Sequence, residues 1–201
     1  MRFSQIVLAS ASPRRYELLR TLGLEVEVAP TDYHEPPIAD LTPAELALAH
    51  AAEKLRRAVL HRPPANGVPI VAADTVVDLA GVALGKPRDR TDAVSMLERL
   101  SGREHAVHTA FGVAAAERPE PILECATTRV RFYLLEPAEI AEYVATGEPF
   151  DKAGGYGIQG RAAALIEGIE GDFYTVMGLP LARFIRALRR LGFALPDTNE
   201  R

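Results

Sequence analysis

Two long strand patterns, at residues 105–115 and 122–134, follow one another with only a charged, proline-containing turn between them. The first places Val107, Phe111 and Val113 at alternate positions, which is typical of a strand with one buried face. Strands joined by a tight turn pair antiparallel, whereas the other apolar segments of the chain alternate with helical patterns. A purely parallel, doubly wound sheet is therefore disfavoured, and the sequence predicts an α/β fold with a mixed sheet.

The size and composition of the chain limit its class. Its 201 residues, 48% of them hydrophobic, suffice for one domain over residues 1–201 or for two small lobes around a shared cleft. A net charge of −4 disfavours non-specific nucleic-acid binding, which favours a basic surface. The single cysteine, Cys125, has no partner for an internal disulfide, and we find neither a signal-peptide pattern nor an uninterrupted apolar stretch of about 20 residues. We therefore expect a cytoplasmic protein that does not span a membrane.

An unusual helix start follows the first apolar strand, Ile6–Leu8. Ser12 is a favourable N-cap and Pro13 suits the first helical position. Arg14 and Arg15 then put positive charge where the helix end is already electropositive and acidic residues are favoured. An anion, above all phosphate, would compensate, because free N–H groups, serine hydroxyls and arginine side chains all bind it. A solvent-facing basic turn is the alternative.

A carboxylate interrupts the most apolar strand pattern, at residues 68–79. Asp74 has apolar residues on both sides, and a buried carboxylate is unfavourable unless it is paired, hydrogen-bonded or bound to a metal. At a strand end that faces a cleft, it would hold Mg²⁺ or activate water. The alternative is an aspartate that caps a turn, but the apolar neighbours favour the functional interpretation.

Lys54 lies in a helix that a capping box at Thr42 predicts. Leu48, Leu55 and Val59 recur there at helical spacing and leave Lys54 outside the apolar stripe. This pattern alone predicts a surface lysine.

Two further charged residues lie in predicted loops. Lys86, between Gly85 and Pro87, is able to reach phosphate oxygens as a point charge, although loop lysines are usually solvated. Glu35 lies in a polar, proline-rich loop at 30–41 and has no distinctive local pattern. Neither residue indicates a function by itself.

A glycine-rich segment at 154–160 lets the backbone approach a ligand closely. Gln159 offers both a donor and an acceptor, which suits the imide edge of uracil or thymine. Tyr156 is available to stack on a base. A tight structural turn is an equally good interpretation from the sequence.

Short motifs along the chain resemble, in order from residue 8 to residue 180, those of the Maf family of nucleoside triphosphate pyrophosphatases. The motifs are Ser10–Arg15, Ala73–Thr75, Leu84–Pro87, Leu100–Gly102, Asp151–Gly160 and Gly178–Pro180. Each motif is short, but the ordered set is specific. The resemblance implies hydrolysis of a nucleoside triphosphate to its monophosphate and pyrophosphate, with Mg²⁺ or Mn²⁺. It also implies an elongated mixed sheet, two lobes around a central cleft, a fold similar to inosine triphosphate pyrophosphatases, and a homodimer.

The resemblance further implies roles for individual residues. Asp74 corresponds to the proposed general base or metal-site carboxylate, and Glu35 to an acidic loop position that helps hold the metal. The positions tied to substrate selectivity are Arg14, Thr75 and Gln159. The polar positions that line the phosphate site are Ser10, Arg15, Lys54 and Lys86. Because adjacent helix residues point about 100° apart, we expect Arg14 to reach toward the specificity end and Arg15 toward the phosphates.

Two segments, Tyr156–Gly160 and Gly171–Tyr174, resemble the branch of the family that prefers dTTP and UTP. One alternative is the branch that prefers 7-methyl-GTP, which carries Lys and Glu around the position of Gln159. Another is a nucleotide-binding regulator of cell division. Asp74 favours an enzyme over a regulator, because binding alone needs no poised carboxylate.

Overall fold

A computed structural model describes residues 3–196. The strands are β1 (Gln5–Leu8), β2 (Glu25–Val28), β3 (Ile70–Leu79), β4 (Val82–Leu84), β5 (Glu104–Ala115), β6 (Arg118–Phe132) and β7 (Ile166–Glu170). The helices are α1 (Pro13–Thr21), α2 (Pro43–His61), α3 (Arg90–Leu100), α4 (Pro137–Ala145), α5 (Phe173–Met177) and α6 (Leu181–Arg190). Within residues 3–196, no helix combines the length and the apolar character needed to cross a membrane.

The strands form one seven-stranded mixed sheet in the order β2-β1-β3-β5-β6-β7, with β4 paired to the far end of β3. β1 is parallel to β2 and to β3. Helix α1 connects β1 to β2 and helix α2 connects β2 to β3, because parallel strands need long crossover connections. β3, β5, β6 and β7 pair antiparallel. The predicted mixed sheet with flanking helices is confirmed. The β5–β6 hairpin is also confirmed, although β6 begins at Arg118 because the turn is shorter than the pattern suggested.

The apolar core has two main parts. One surrounds α1 and α6 and includes the fully buried Leu19 and Phe184. The other surrounds α3 and α4 and includes Leu97 and Phe132. Both parts contribute residues to one cleft. The organisation as a single domain over 1–201 stays a prediction.

The buried face of α2 agrees with the predicted one at Leu55, which is 2% exposed, but differs elsewhere. Leu48 and Val59 are only partly buried, whereas Ala47 and Ala51 are fully buried against the sheet. Because alanine is small, this face lets α2 approach β3 and β5 closely, and it carries the aliphatic stem of Lys54 into the interior. The prediction of a surface lysine is therefore wrong: Lys54 is 8% exposed.

The segment after α4 contains short elements that the sequence pattern did not separate. Short 3₁₀ turns occupy Glu148–Asp151, Ala153–Gly155 and Gly160–Leu165, so β7 begins later than residue 163, where the pattern placed it. The five-residue helix α5 is also unpredicted. Asp172 caps it by accepting hydrogen bonds from the backbone N–H of Thr175 at 3.0 Å and from its hydroxyl at 2.9 Å.

Candidate active site

The site lies where β3 has no neighbouring strand on one side. β1 follows β3 only as far as the pair Leu8–Val71, and β4 joins β3 at Val77. Between these points the edge of β3 is open within the described part of the chain. Successive side chains of a strand point to opposite faces, so Asp74 turns toward α2 and Thr75 toward α1. Because the edge is open, both side chains reach the same cleft.

The cleft has a volume of about 560 Å³, which is within the usual range for a small-molecule site. All of the site residues predicted from the sequence line it: Ser10, Arg14, Arg15, Glu35, Lys54, Asp74, Thr75, Lys86 and Gln159. The fold therefore brings together positions from six separate parts of the chain.

On the α2 side of the cleft, one ammonium group joins two carboxylates. Lys54 Nζ donates a hydrogen bond to Asp74 Oδ1 at 2.7 Å and also contacts Glu35 Oε1. The side chains of Lys54 and Asp74 are 9% and 7% exposed, whereas that of Glu35 is 43% exposed. An unpaired buried carboxylate would be strongly unfavourable, so Lys54 offsets the desolvation of Asp74.

Glu35 is presented to Lys54 by an unusual backbone conformation. Its φ of 47° is in the left-handed region, which costs a non-glycine residue about 1–3 kcal/mol. The loop is anchored by a hydrogen bond between the Tyr33 hydroxyl and His50 Nδ1 at 2.9 Å. Partial burial raises the pKa of the Glu35 carboxyl, but the hydrogen bond and charge of Lys54 outweigh this effect, so the pKa lies below its usual value.

Arg15 is buried and ties three parts of the site together. Its Nε donates to the carbonyl of Gly178 at 2.8 Å, Nη1 to Ser10 Oγ at 3.0 Å and Nη2 to Thr75 Oγ1 at 3.1 Å. The Thr75 hydroxyl is in turn 2.9 Å from that of Thr109 on β5. Gly178 has a φ of 110°, and a Cβ there would lie 3.4 Å from Thr75 Oγ1. Three of the five guanidinium N–H groups of Arg15 donate to protein atoms. Only the other two are available for the predicted contact with phosphate.

Arg14 points in a different direction from Arg15. Its Nη1 donates to Asp151 Oδ2 at 2.8 Å, and Lys152 Nζ donates to Asp151 Oδ1 at 2.5 Å. Partial burial raises the pKa of the Asp151 carboxyl, but the hydrogen bonds from Lys152 and Arg14 outweigh this effect and lower it. Asp151 begins the glycine-rich motif that contains Gln159, so Arg14 reaches toward the loop predicted to read the base.

Lys86 and Gln159 are exposed residues that line the cleft. The backbone N–H of Gly154 donates to the carbonyl of Gly85 at 2.9 Å, which joins the two loops that carry them. Gly154 has a φ of 71°, and a Cβ there would lie 3.0 Å from Val77. The glycine is therefore required for the close packing of this turn on the end of β3.

Tyr156 belongs to the core as well as to the cleft wall. It is 4% exposed, and its ring packs edge-on against those of His105 and Phe132. Its hydroxyl lies 2.5 Å from His105 Nε2. With its ring enclosed in this way, Tyr156 offers no open face to a base, and the interpretation as a stacking residue is wrong.

The enclosed His105 leads to a prediction on pH. Burial lowers the pKa of its imidazole from 6.5 to about 4. Because the unfolded chain binds the proton more tightly, the stability that neutral His105 contributes is complete above about pH 6.5 and is lost as the pH falls toward 4. Titration of one group changes the free energy of unfolding by up to about 1.4 kcal/mol per pH unit. The contribution of neutral His105 to that free energy therefore falls by about 2 kcal/mol between pH 7 and pH 5.

Urea unfolding of the wild type and of His105→Gln at both pH values measures this share. We expect the wild type to lose more stability than the variant, whereas the exposed His61→Gln should behave as the wild type. An equal loss in the wild type and His105→Gln would refute the assignment.

The sequence analysis placed Lys152 and Asp151 in the motif Asp151–Gly160 but assigned neither of them a role in the site. A compositional signal was present, because the chain contains only three lysines against 20 arginines. All three lysines, Lys54, Lys86 and Lys152, line the cleft. In a chain that uses arginine for its surface charge, the rare lysines mark the site.

The residues present fit a divalent cation that takes part of its ligands from a substrate. Mg²⁺ is commonly bound through one or two carboxylates plus substrate phosphates. One oxygen of Asp74 and one of Glu35 contact the ammonium group of Lys54, so both carboxylates reach the same cation. Among residues 3–196, no cluster of three or more His, Cys, Asp or Glu side chains is arranged as a metal site.

Comparison with known proteins identifies the family. Among solved structures, a nucleoside-triphosphatase/dITP/XTP pyrophosphatase from Mycobacterium abscessus aligns at a TM-score of 0.46 and 20% identity, covering 93% of this chain and 97% of that one. A protein named dTTP/UTP pyrophosphatase from Symbiobacterium thermophilum is 47% identical over 95% of this chain and 96% of its own. Another of that name, from Geobacter sulfurreducens, is 46% identical over 96% and 99%. The model of the Maf-like protein family matches residues 5–191. The chain therefore belongs to the Maf family.

Proposed function

We propose that the chain hydrolyses dTTP and UTP, and modified pyrimidine nucleotides of the same shape, to the monophosphate and pyrophosphate. The observation that carries the proposal is Asp74, a nearly buried carboxylate in a cleft that also carries Arg14, Lys86 and the start of α1. A cleft that only bound nucleotide would need the cations but not this carboxylate. The names of relatives 46% and 47% identical to the chain support the same activity.

The cationic side of the cleft suits the triphosphate. The N-terminus of α1 contributes the positive end of the helix dipole, and Lys86 and the remaining guanidinium N–H groups of Arg15 add positive charge. Fixed donors of this kind act most strongly on the charge that develops on the leaving oxygens.

Asp74 is the residue that accepts a proton in the proposed reaction. A water oxygen forms a bond to the α-phosphorus, its proton passes to the Asp74 carboxylate, and the bond from the α-phosphorus to the bridging oxygen breaks. The electron pair of that bond leaves with pyrophosphate. A divalent cation held by Asp74 and Glu35 supplies Lewis-acid stabilisation of the phosphate charge when it is bound.

A nucleotide panel tests the proposal directly. Pyrophosphate release is measured for dTTP, UTP, CTP, GTP and 7-methyl-GTP, each with and without Mg²⁺. We expect dTTP and UTP to react fastest and only with the metal. A preference for 7-methyl-GTP would place the chain in the other branch, and no release from any nucleotide would favour a binding regulator of cell division.

Gln159→Ala tests base selection. Its amide matches the donor and acceptor of the pyrimidine imide edge, so we expect the ratio of kcat/KM for dTTP to that for GTP to fall about ten- to hundredfold. Gln5→Ala, at the start of β1 and outside the cleft, is the matched control. An unchanged ratio in Gln159→Ala would mean that the base is read elsewhere.

The proposal includes a cytoplasmic homodimer with no nucleic-acid or membrane partner. The net charge of −4 supports the absence of a nucleic-acid partner, the single cysteine supports the location, and the family resemblance supports the dimer. Light scattering that gives twice the mass of one chain would agree with it.

A further inference from the structure

Lys54 occupies a position that a divalent cation would also need. Its Nζ lies 2.7 Å from Asp74 Oδ1 and contacts Glu35 Oε1, so two of the three ammonium donors are directed at the two carboxylates assigned to the metal. The side chain is 9% exposed, and helix α2 holds its stem against the sheet. The ammonium is therefore a built-in partner of the carboxylate pair rather than a free phosphate ligand.

A metal ion and this ammonium compete for the same oxygen atoms. A carboxylate oxygen that accepts a short hydrogen bond from Lys54 offers less of its lone-pair density to a metal, and two cations at this separation repel each other in a poorly solvated site. Anionic phosphates relieve the conflict, because they attract both the ammonium and the metal.

We propose that Lys54 is a positioning residue that holds Asp74 and Glu35 together as an internal cation and excludes a free divalent ion, so that the metal enters together with the triphosphate. The inference rests on the proposed function, since it takes the substrate to be a metal–nucleotide complex. It assigns Lys54 a role distinct from that of Lys86, which lines the same cleft but is exposed.

Mn²⁺ titration of the whole protein without nucleotide, followed by calorimetry, tests the proposal. We expect Lys54→Met to bind Mn²⁺ at least about tenfold more tightly than the wild type, because the competing charge is gone. Adding Asp74→Asn to Lys54→Met should abolish the gain. Lys86→Met is the matched control, and its Mn²⁺ affinity should rise much less.

Two outcomes would overturn the proposal. Mn²⁺ binding that is no tighter in Lys54→Met than in the wild type would show that Lys54 does not compete. Equal tightening in Lys54→Met and Lys86→Met would show an effect of net charge alone.

Thermal unfolding gives a second readout that does not depend on catalysis. Lys54→Met leaves the Asp74 carboxylate without its cation, so its Tm should fall, and Mn²⁺ should restore much of the loss by binding the folded state. The same Mn²⁺ concentration should leave the wild-type Tm unchanged. If Lys54→Met fails to fold, the Mn²⁺ titration and the thermal unfolding are done with Lys54→Gln instead. The glutamine amide still donates to Asp74 but has no charge.

The dTTP assay separates this inference from the proposed function. If the wild type releases pyrophosphate from dTTP but Lys54→Met binds Mn²⁺ no more tightly, only the role of Lys54 is refuted. If the wild type releases none, the proposed function fails, and the Mn²⁺ comparison still decides whether Lys54 and a metal compete.

Discussion

Asp74→Asn is expected to lower kcat for dTTP hydrolysis by about 10²–10⁴-fold while the protein remains folded. The substitution keeps the size and an oxygen that accepts the hydrogen bond from Lys54 Nζ, so the geometry around β3 should persist. It removes the negative charge and the basicity that the proposed proton transfer needs. Steady-state pyrophosphate release with Mg²⁺ measures kcat, and circular dichroism checks the fold.

Asp78→Asn is the matched control for this experiment. Asp78 lies four positions further along β3, outside the cleft, where it accepts hydrogen bonds from Gly81 N–H at 2.6 Å and pairs with His108 at 3.3 Å. Its replacement should leave kcat near the wild-type value. A folded Asp74→Asn protein with wild-type turnover would show that another group activates the water.

Arg15→Met is expected to have the largest effect on stability, about 3 kcal/mol or more. The guanidinium makes three hydrogen bonds in the interior, and its loss removes a buried donor from the Gly178 carbonyl and from the hydroxyls of Ser10 and Thr75. For a protein of this length, such a loss lowers Tm by roughly 6–12 °C. Activity should fall as well, because the same contacts position the walls of the cleft.

The matched control for Arg15→Met is Arg56→Met. Arg56 lies on the exposed side of α2 and pairs with Glu53 at the surface, so Tm should stay essentially unchanged. Arg15→Lys should not rescue the variant, since one ammonium cannot reproduce three fixed donors. A Tm for Arg15→Met within a degree or two of the wild type would refute the structural role of this residue.

Local chemistry explains which parts of the fold were predictable. Ser12 and Thr42 cap α1 and α2 through their own side chains, accepting from Arg15 N–H at 3.5 Å and Glu45 N–H at 3.3 Å. The β5–β6 hairpin follows from period-two alternation on both sides of a short turn. Each of these features depends on residues close together in sequence, so a pattern is enough to find it.

The same reasoning failed where contacts between distant segments decide the outcome. Lys54 falls outside the apolar stripe of α2, yet it is buried because small alanines form the face that meets the sheet and Asp74 supplies the opposite charge. Tyr156 follows a glycine pair that suggests an open loop, yet it is enclosed because Phe132 and His105 come from other strands. Periodicity measures polarity along one helix or strand and contains no information on partners elsewhere.

The sequence by itself therefore determined the mixed α/β architecture, the capped start of α1 and the family resemblance, and through that resemblance nine of the residues that line the cleft. Only the tertiary structure decided which partners each of those residues contacts. The open edge of β3 brings Asp74 and Thr75 to one cleft, Arg15 is committed to three interior hydrogen bonds, and Lys54 joins the two carboxylates. The physical reason is that pairing of buried charges depends on distances of a few ångströms between side chains far apart in the chain, and only packing of the whole sheet and its helices sets those distances.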